Sequence, residues 1–130
     1  MSDVPENLRY SKEHEWVKVE GDLVVIGITD YAQNSLREIT YVEMNEVGTT
    51  LDTNQECGLV ESMKASSDIF SPLAGEIVEV NSALEDAPEA VNESPYEEGW
   101  MFKLKPSNLD GDLAALMDAK AYKEYIESLE

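Results

Sequence analysis

The chain reads as mainly β with helical additions, a small antiparallel sandwich or barrel that carries a helical C-terminal region. Three observations predict this. Between His14 and Pro106, short runs rich in Val, Ile, Tyr and Trp alternate with clusters of turn residues. Pro72 and Pro106 each close such a run, as expected of a residue that cannot donate to a strand ladder. From Leu109 onward the apolar spacing becomes helical, through Leu113, Leu116, Met117, Ala121, Tyr122, Tyr125, Ile126 and Leu129.

Residues 1–13 are polar, with Leu8 and Tyr10 as bulky anchors, and are expected to form a mobile tip that docks late. His14-Glu15-Trp16-Val17-Lys18-Val19-Glu20 alternates, Gly21-Asp22 turns, and Leu23-Val24-Val25-Ile26-Gly27-Ile28 returns, which predicts a β-hairpin. Thr29 with Asp30 caps a short helix to Leu36, whose apolar side is Tyr31 or Ala32 with Leu36. Residues 39–44 return to β character, 45–50 form a turn-rich link, and a strand resumes near Cys57. Alternation places Cys57, Leu59, Glu61 and Met63 on one face of that strand and Gly58, Val60 and Ser62 on the other. Residues 68–71 pair back, and 75–81 form the next strand. The segments 38–43 and 76–81 resemble one another, a hint of two sheets related by a two-fold. Residues 82–99 are polar and wrap the surface with one helical turn near 83–87, and 100–105 form the last strand.

Length and composition limit the function. At 130 residues the chain is expected to be one domain spanning 1–130, with a core that needs no staples. No run approaches the roughly 18 apolar residues required to cross a bilayer. Met1-Ser2-Asp3-Val4-Pro5-Glu6 has neither a secretory nor a transit pattern, so a cytoplasmic location is expected, and a processed mitochondrial-matrix chain would read the same. With 28 acidic against 9 basic residues the net charge is −19, which disfavours nucleic acid and anionic membranes and suits positively charged partner surfaces. The single cysteine, Cys57, forms no internal disulfide and no cysteine-cluster metal site.

Phosphate loops, nucleophile elbows and histidine metal motifs are missing from the sequence. Cys57 and the lone His14 supply the residue types of a nucleophile and base, but a cysteine inside an apolar strand is far more often packing. Asn92-Glu93-Ser94 matches a glycosylation sequon, yet Pro95 follows and nothing indicates secretion.

Lys64 is different. It lies in a short polar gap between two β-prone runs, which puts it near the tip of a hairpin. An ordinary turn lysine would pair weakly with Glu61 or Asp68, for ~0–1 kcal/mol. Its surroundings decide against that. Glu61-Ser62-Met63-Lys64-Ala65-Ser66-Ser67-Asp68, then Ser71-Pro72 and residues 75–81, resemble the lipoylation region of the glycine cleavage H-protein family. The resemblance extends in the same order through His14-Glu15-Trp16-Val17, residues 27–33, Tyr41-Val42-Glu43, Val91-Asn92, Ser94-Pro95-Tyr96, Gly99-Trp100 and Lys103-Leu104-Lys105-Pro106, covering about Leu8 to Leu129.

That resemblance implies a biotinyl/lipoyl-carrier-like barrel-sandwich hybrid, with Lys64 receiving lipoate in amide linkage. It implies a carrier and not an enzyme. Its implied partners are a pyridoxal-phosphate glycine decarboxylase (P component), a tetrahydrofolate-dependent aminomethyltransferase (T component) and a dihydrolipoyl dehydrogenase (L component). A lipoate ligase or an octanoyl/lipoyl transferase would supply the arm. It points to a sheltering cleft near Glu15 and Asp68, beside residues 28–36. Two positions depart from the family pattern: Arg37 stands where members commonly have glycine, and Glu13 where small polar residues are frequent.

Three other readings compete. A biotinyl carrier usually brackets its lysine with methionine on both sides, whereas Ala65 follows Lys64 here. A relay that passes octanoyl or lipoyl groups to other carrier domains would use the same arm. A binding-only acidic adaptor would leave Lys64 unmodified.

Overall fold

Trp16 and Val17 are neighbours in one strand, and both are 1% exposed. Adjacent strand residues point to opposite faces, so the sheet that holds them is covered on both sides. The rest of the architecture follows from this.

The structure, a computed structural model, describes residues 3–129. The strands are β1 (Arg9–Tyr10), β2 (Glu15–Glu20), β3 (Leu23–Ile28), β4 (Ile39–Met44), β5 (Thr50–Leu51), β6 (Glu56–Ser62), β7 (Ser66–Phe70), β8 (Gly75–Val80) and β9 (Phe102–Pro106). The helices are α1 (Asp30–Leu36), α2 (Ala83–Asp86), α3 (Ala90–Glu93), α4 (Leu109–Ala114) and α5 (Ala119–Leu129). One sheet runs β1-β2-β3-β9-β8-β5 and the other β4-β6-β7, and every pairing is antiparallel. The mainly β class with a C-terminal helix is thus observed. The similar segments 38–43 and 76–81 fall in different sheets, as β4 and β8.

Between the sheets lies the larger core, to which Val17, Val24, Ile26, Val60, Ile69 and Leu104 contribute. On the outer side of the larger sheet, Trp16 and Val25 pack with Leu8, Tyr10, Tyr122 and Ile126. The Tyr10 and Tyr122 rings stack at 4.6 Å, and Trp16 donates from Nε1 to the Pro95 carbonyl at 2.9 Å. Trp16 registers against Gly27, where a Cβ would stand 2.8 Å from the indole Nε1. Only glycine leaves space for that ring.

The second layer corrects the expectation of a mobile tip at residues 1–13. Val4, Leu8 and Tyr10 are buried, and Tyr10 exchanges backbone hydrogen bonds with Met117 at 2.8 and 2.9 Å. Each such burial contributes about 1.5–3 kcal/mol, enough to hold a short segment down. Met1 and Ser2 lie outside the described residues. The buried side of α5 is Ala119, Tyr122 and Ile126, while Ala121 and Leu129 of the expected stripe face solvent.

Strict alternation also fails in β6, where Cys57 and Val60 are both buried. The register of β6 against β7 shifts between Glu56 and Gly58, and one residue inserted at such a bulge inverts the facing of those beyond it. The wrapping segment carries α2 and α3 where one helical turn was expected, and the short strand β5 lies at the end of the expected link. Among the described residues two ion pairs form, Lys18–Glu20 at 3.5 Å and Lys103–Glu79 at 3.7 Å, both at the surface. No helix is long and apolar enough to cross a membrane among the described residues.

Candidate functional site

The hairpin β6–β7 carries Lys64 at its tip, and one hydroxyl organises the turn. The Ser62 amide donates to the Ala65 carbonyl at 2.8 Å. Ser62 Oγ accepts from the Lys64 amide at 3.1 Å and the Ala65 amide at 3.0 Å, and donates to the Ala65 carbonyl at 3.2 Å. A serine that satisfies neighbouring amides favours a turn over a continued strand. Met63, Lys64 and Ala65 are exposed, Met63 at 81%.

The lysine side chain lies back toward α1, and Nζ donates to the Ser35 carbonyl at 3.4 Å. Carbonyls of a last helical turn lack intrahelical donors and sit at the negative end of the helix, so a cation suits that position. Thr29 starts this helix as expected, accepting from the Ala32 amide at 3.2 Å. Asn92 fixes its far end, donating from Nδ2 to Gln33 Oε1 at 2.8 Å and to the Arg37 carbonyl at 2.7 Å. Its Oδ1 accepts from the Ile39 amide at 2.8 Å. Three segments thereby meet on one side chain, a role that the sequon pattern does not reveal.

Glu15 is 2% exposed. Ser11 donates its hydroxyl to Oε1 at 2.5 Å, and the Phe70 amide donates to Oε2 at 3.2 Å. Burial raises its pKa to about 7, against the lowering effect of those two hydrogen bonds. Asp68, two residues before Phe70 on β7, is exposed and registers with Leu59. The structure therefore brings Glu15 to the strand that bears Asp68. Lys64 itself hydrogen-bonds to Ser35 and to neither carboxylate. Ser11 and Asn92 carry no individual site signal in the sequence, because each acts through a fold-dependent partner.

The family model for the glycine cleavage H-protein matches residues 8–129. The chain belongs to this family. It is similar to a glycine cleavage system H protein of Thermus thermophilus, with 53% identity over 126 residues covering 97% of this chain and 98% of the relative. It is 50% identical over 128 residues to that of Anaeromyxobacter sp. strain K, covering 98% and 99% of the two chains. The crystal structure of the H protein from Mycobacterium marinum superposes with a TM-score of 0.87 at 34% identity, covering 95% of this chain and 99% of that one.

As an H-protein-family member the chain is a carrier and not an enzyme. The cysteine and histidine have other duties. Cys57 is fully buried, and burial pushes its thiol up to about 12, which makes it unreactive packing. His14 is held by the Tyr122 hydroxyl at Nδ1, 2.8 Å away, and packs against the rings of Tyr31 and Tyr125. Arg37, where the resemblance led to an expectation of glycine, ends α1 at φ 71° and ψ −147°. That is a backbone region populated almost entirely by glycine. Glu13 is exposed, beside Ser11 and Lys12 at a surface depression that Pro72 and Met117 also line.

Proposed function

We propose that Lys64 carries lipoate in amide linkage and that the chain serves glycine cleavage as a carrier. The observation that supports this most is the placement of Lys64 on an exposed turn, organised from below by Ser62, in a chain of this family. A primary amine there suits an acyl arm, because a modifying enzyme can approach the tip from several sides. Acylation removes the lysine's positive charge. It leaves one N–H, which still suits the Ser35 carbonyl.

The arm supplies a disulfide–dithiol pair able to hold an aminomethyl group and to be reoxidised. Its partners in this reading are the glycine decarboxylase, the aminomethyltransferase and the dihydrolipoyl dehydrogenase, with a ligase or transferase for attachment. The protein's own residues give direction and shelter. Ser62 and α1 set where the arm starts; Asp68, exposed on β7, would offer a carboxylate to a charged cargo, with Glu15 buried behind the same strand, and folding of the arm over this region, beside residues 28–36, would exclude water from the cargo.

Intact mass of the chain from a lipoate-replete native source tests attachment. The expected result is an increment of one lipoyl group, absent in Lys64→Arg; an unmodified chain would favour the adaptor reading and a biotin-sized increment the biotinyl one. Transfer of lipoyl or octanoyl groups to other carrier domains would identify the relay. Shelter is tested by the rate of aminomethyl hydrolysis in Glu15→Ala and Asp68→Asn, and release no faster than in the parent for both variants sinks that part.

A further inference from the structure

We propose that Ser62 is a positioning residue for acylation of Lys64, its hydroxyl holding the tip in the conformation that the modifying enzyme takes up. The inference rests on the reading of Lys64 as the attachment point.

A serine hydroxyl has one proton to donate and two lone pairs to accept with. Ser62 uses all of them inside the turn: Lys64 and Ala65 amides on the lone pairs, at 3.1 and 3.0 Å, and the Ala65 carbonyl on the proton, at 3.2 Å. The residues from Met63 to Ala65 project into solvent, so no packing against other elements fixes their backbone. With Ser62 half-buried at the base and the tip exposed, the backbone of the tip depends on these bonds and on the single bond from the Ser62 amide to the Ala65 carbonyl, at 2.8 Å. Among the described residues the only further hold on the lysine is the longer bond from Nζ to the Ser35 carbonyl, at 3.4 Å, which the attacking amine must leave.

Acyl transfer needs that direction. The neutral lysine amine must attack the carbonyl carbon of an activated acyl donor, an acyl adenylate in a ligase. The N–C bond forms, the C–O bond to phosphate breaks, AMP leaves with the electron pair, and the nitrogen loses one proton. A tip that wanders presents its amine in the right place for only a fraction of the time, and apparent affinity falls by that fraction. Once the tip is bound the chemistry is unchanged, so the effect belongs in KM and not in kcat.

The experiment is steady-state acylation of the full chain by a lipoate ligase with lipoate and ATP, comparing the parent with Ser62→Ala, Ser62→Thr and, as a control on the same hairpin, Ser66→Ala. In Ser62→Ala, KM for the carrier is expected to rise about tenfold with kcat unchanged, corresponding to loss of the hydroxyl's bonds. Ser62→Thr, which keeps the hydroxyl, is expected to stay within about twofold of the parent. Hydrogen exchange should show the Lys64 and Ala65 amides unprotected in Ser62→Ala and protected in Ser62→Thr. The proposal is overturned if Ser62→Ala is acylated with the parent's KM, if Ser62→Thr is as impaired as Ser62→Ala, or if the control loses as much. A parent that gains no acyl group at Lys64 overturns the attachment reading itself, and this inference with it.

Discussion

Glu15 of β2 accepts the backbone amide of Phe70 on β7 at 3.2 Å, tying the six-stranded sheet to the sheet that carries Lys64. The tie is made by a carboxyl whose pKa burial raises from 4.5 to about 7. Between those values the folded chain holds a proton that the unfolded chain has lost, so stability falls as pH rises through about 7 and is fully regained below 4.5. The size is on the order of 3 kcal/mol. His14 works the other way: burial lowers its pKa below 6.5, and its contribution, present above 6.5, is lost as pH falls through the lowered value. Glu15→Gln keeps an acceptor for Phe70 and removes the carboxyl's titration. Its stability relative to the parent is expected to improve by about 2.5 kcal/mol from pH 5 to pH 8, measured by urea unfolding. An identical difference at both pH values would refute it.

Tyr122 links the C-terminal helix to two loop residues, its hydroxyl lying 2.8 Å from His14 Nδ1 and 2.7 Å from Thr29 Oγ1. Tyr122→Phe keeps the stack on Tyr10 and strips one partner from each. The expected loss is about 1–3 kcal/mol, with an unchanged dependence on denaturant. A variant as stable as the parent would mean that water replaces the hydroxyl without cost.

Arg37 occupies φ 71° and ψ −147° while its amide donates to the Gln33 carbonyl at 2.9 Å. Glycine would relieve strain of about 1–3 kcal/mol and lose roughly 0.5–1 kcal/mol through greater freedom of the unfolded chain. Arg37→Gly should therefore stabilise the protein by about 1 kcal/mol in urea unfolding, and destabilisation would show that the arginine side chain makes up for its backbone.

The hairpin of β2 and β3, the Thr29 cap and the lysine tip were legible in the sequence because each rests on neighbours within a few positions. The buried N-terminal segment was not. Leu8 and Tyr10 look like isolated anchors until α5 arrives, more than a hundred positions later, to cover them. Bulges are similarly silent: the alternation through Cys57 was sound locally and was inverted by pairing with β7. At the site, Lys64 announced itself by its context and Glu15 by family resemblance. Ser11 had no such signal, and Asn92 stood in the resembling pair Val91-Asn92 without a role attached, since a hydroxyl or amide becomes specific only when folding brings its partner.

Among the described residues the two ion pairs leave most carboxylates without a cationic side chain in salt-bridge range. Crowded like charges push a compact chain apart, and dissolved ions weaken that repulsion within about 10 Å at 0.1 M. Added salt should then consolidate the fold while weakening the chain's attraction for any positively charged surface that the proposed partners present. Carrier throughput would peak at an intermediate ionic strength, where the molecule is firm and its docking encounters are still long-lived.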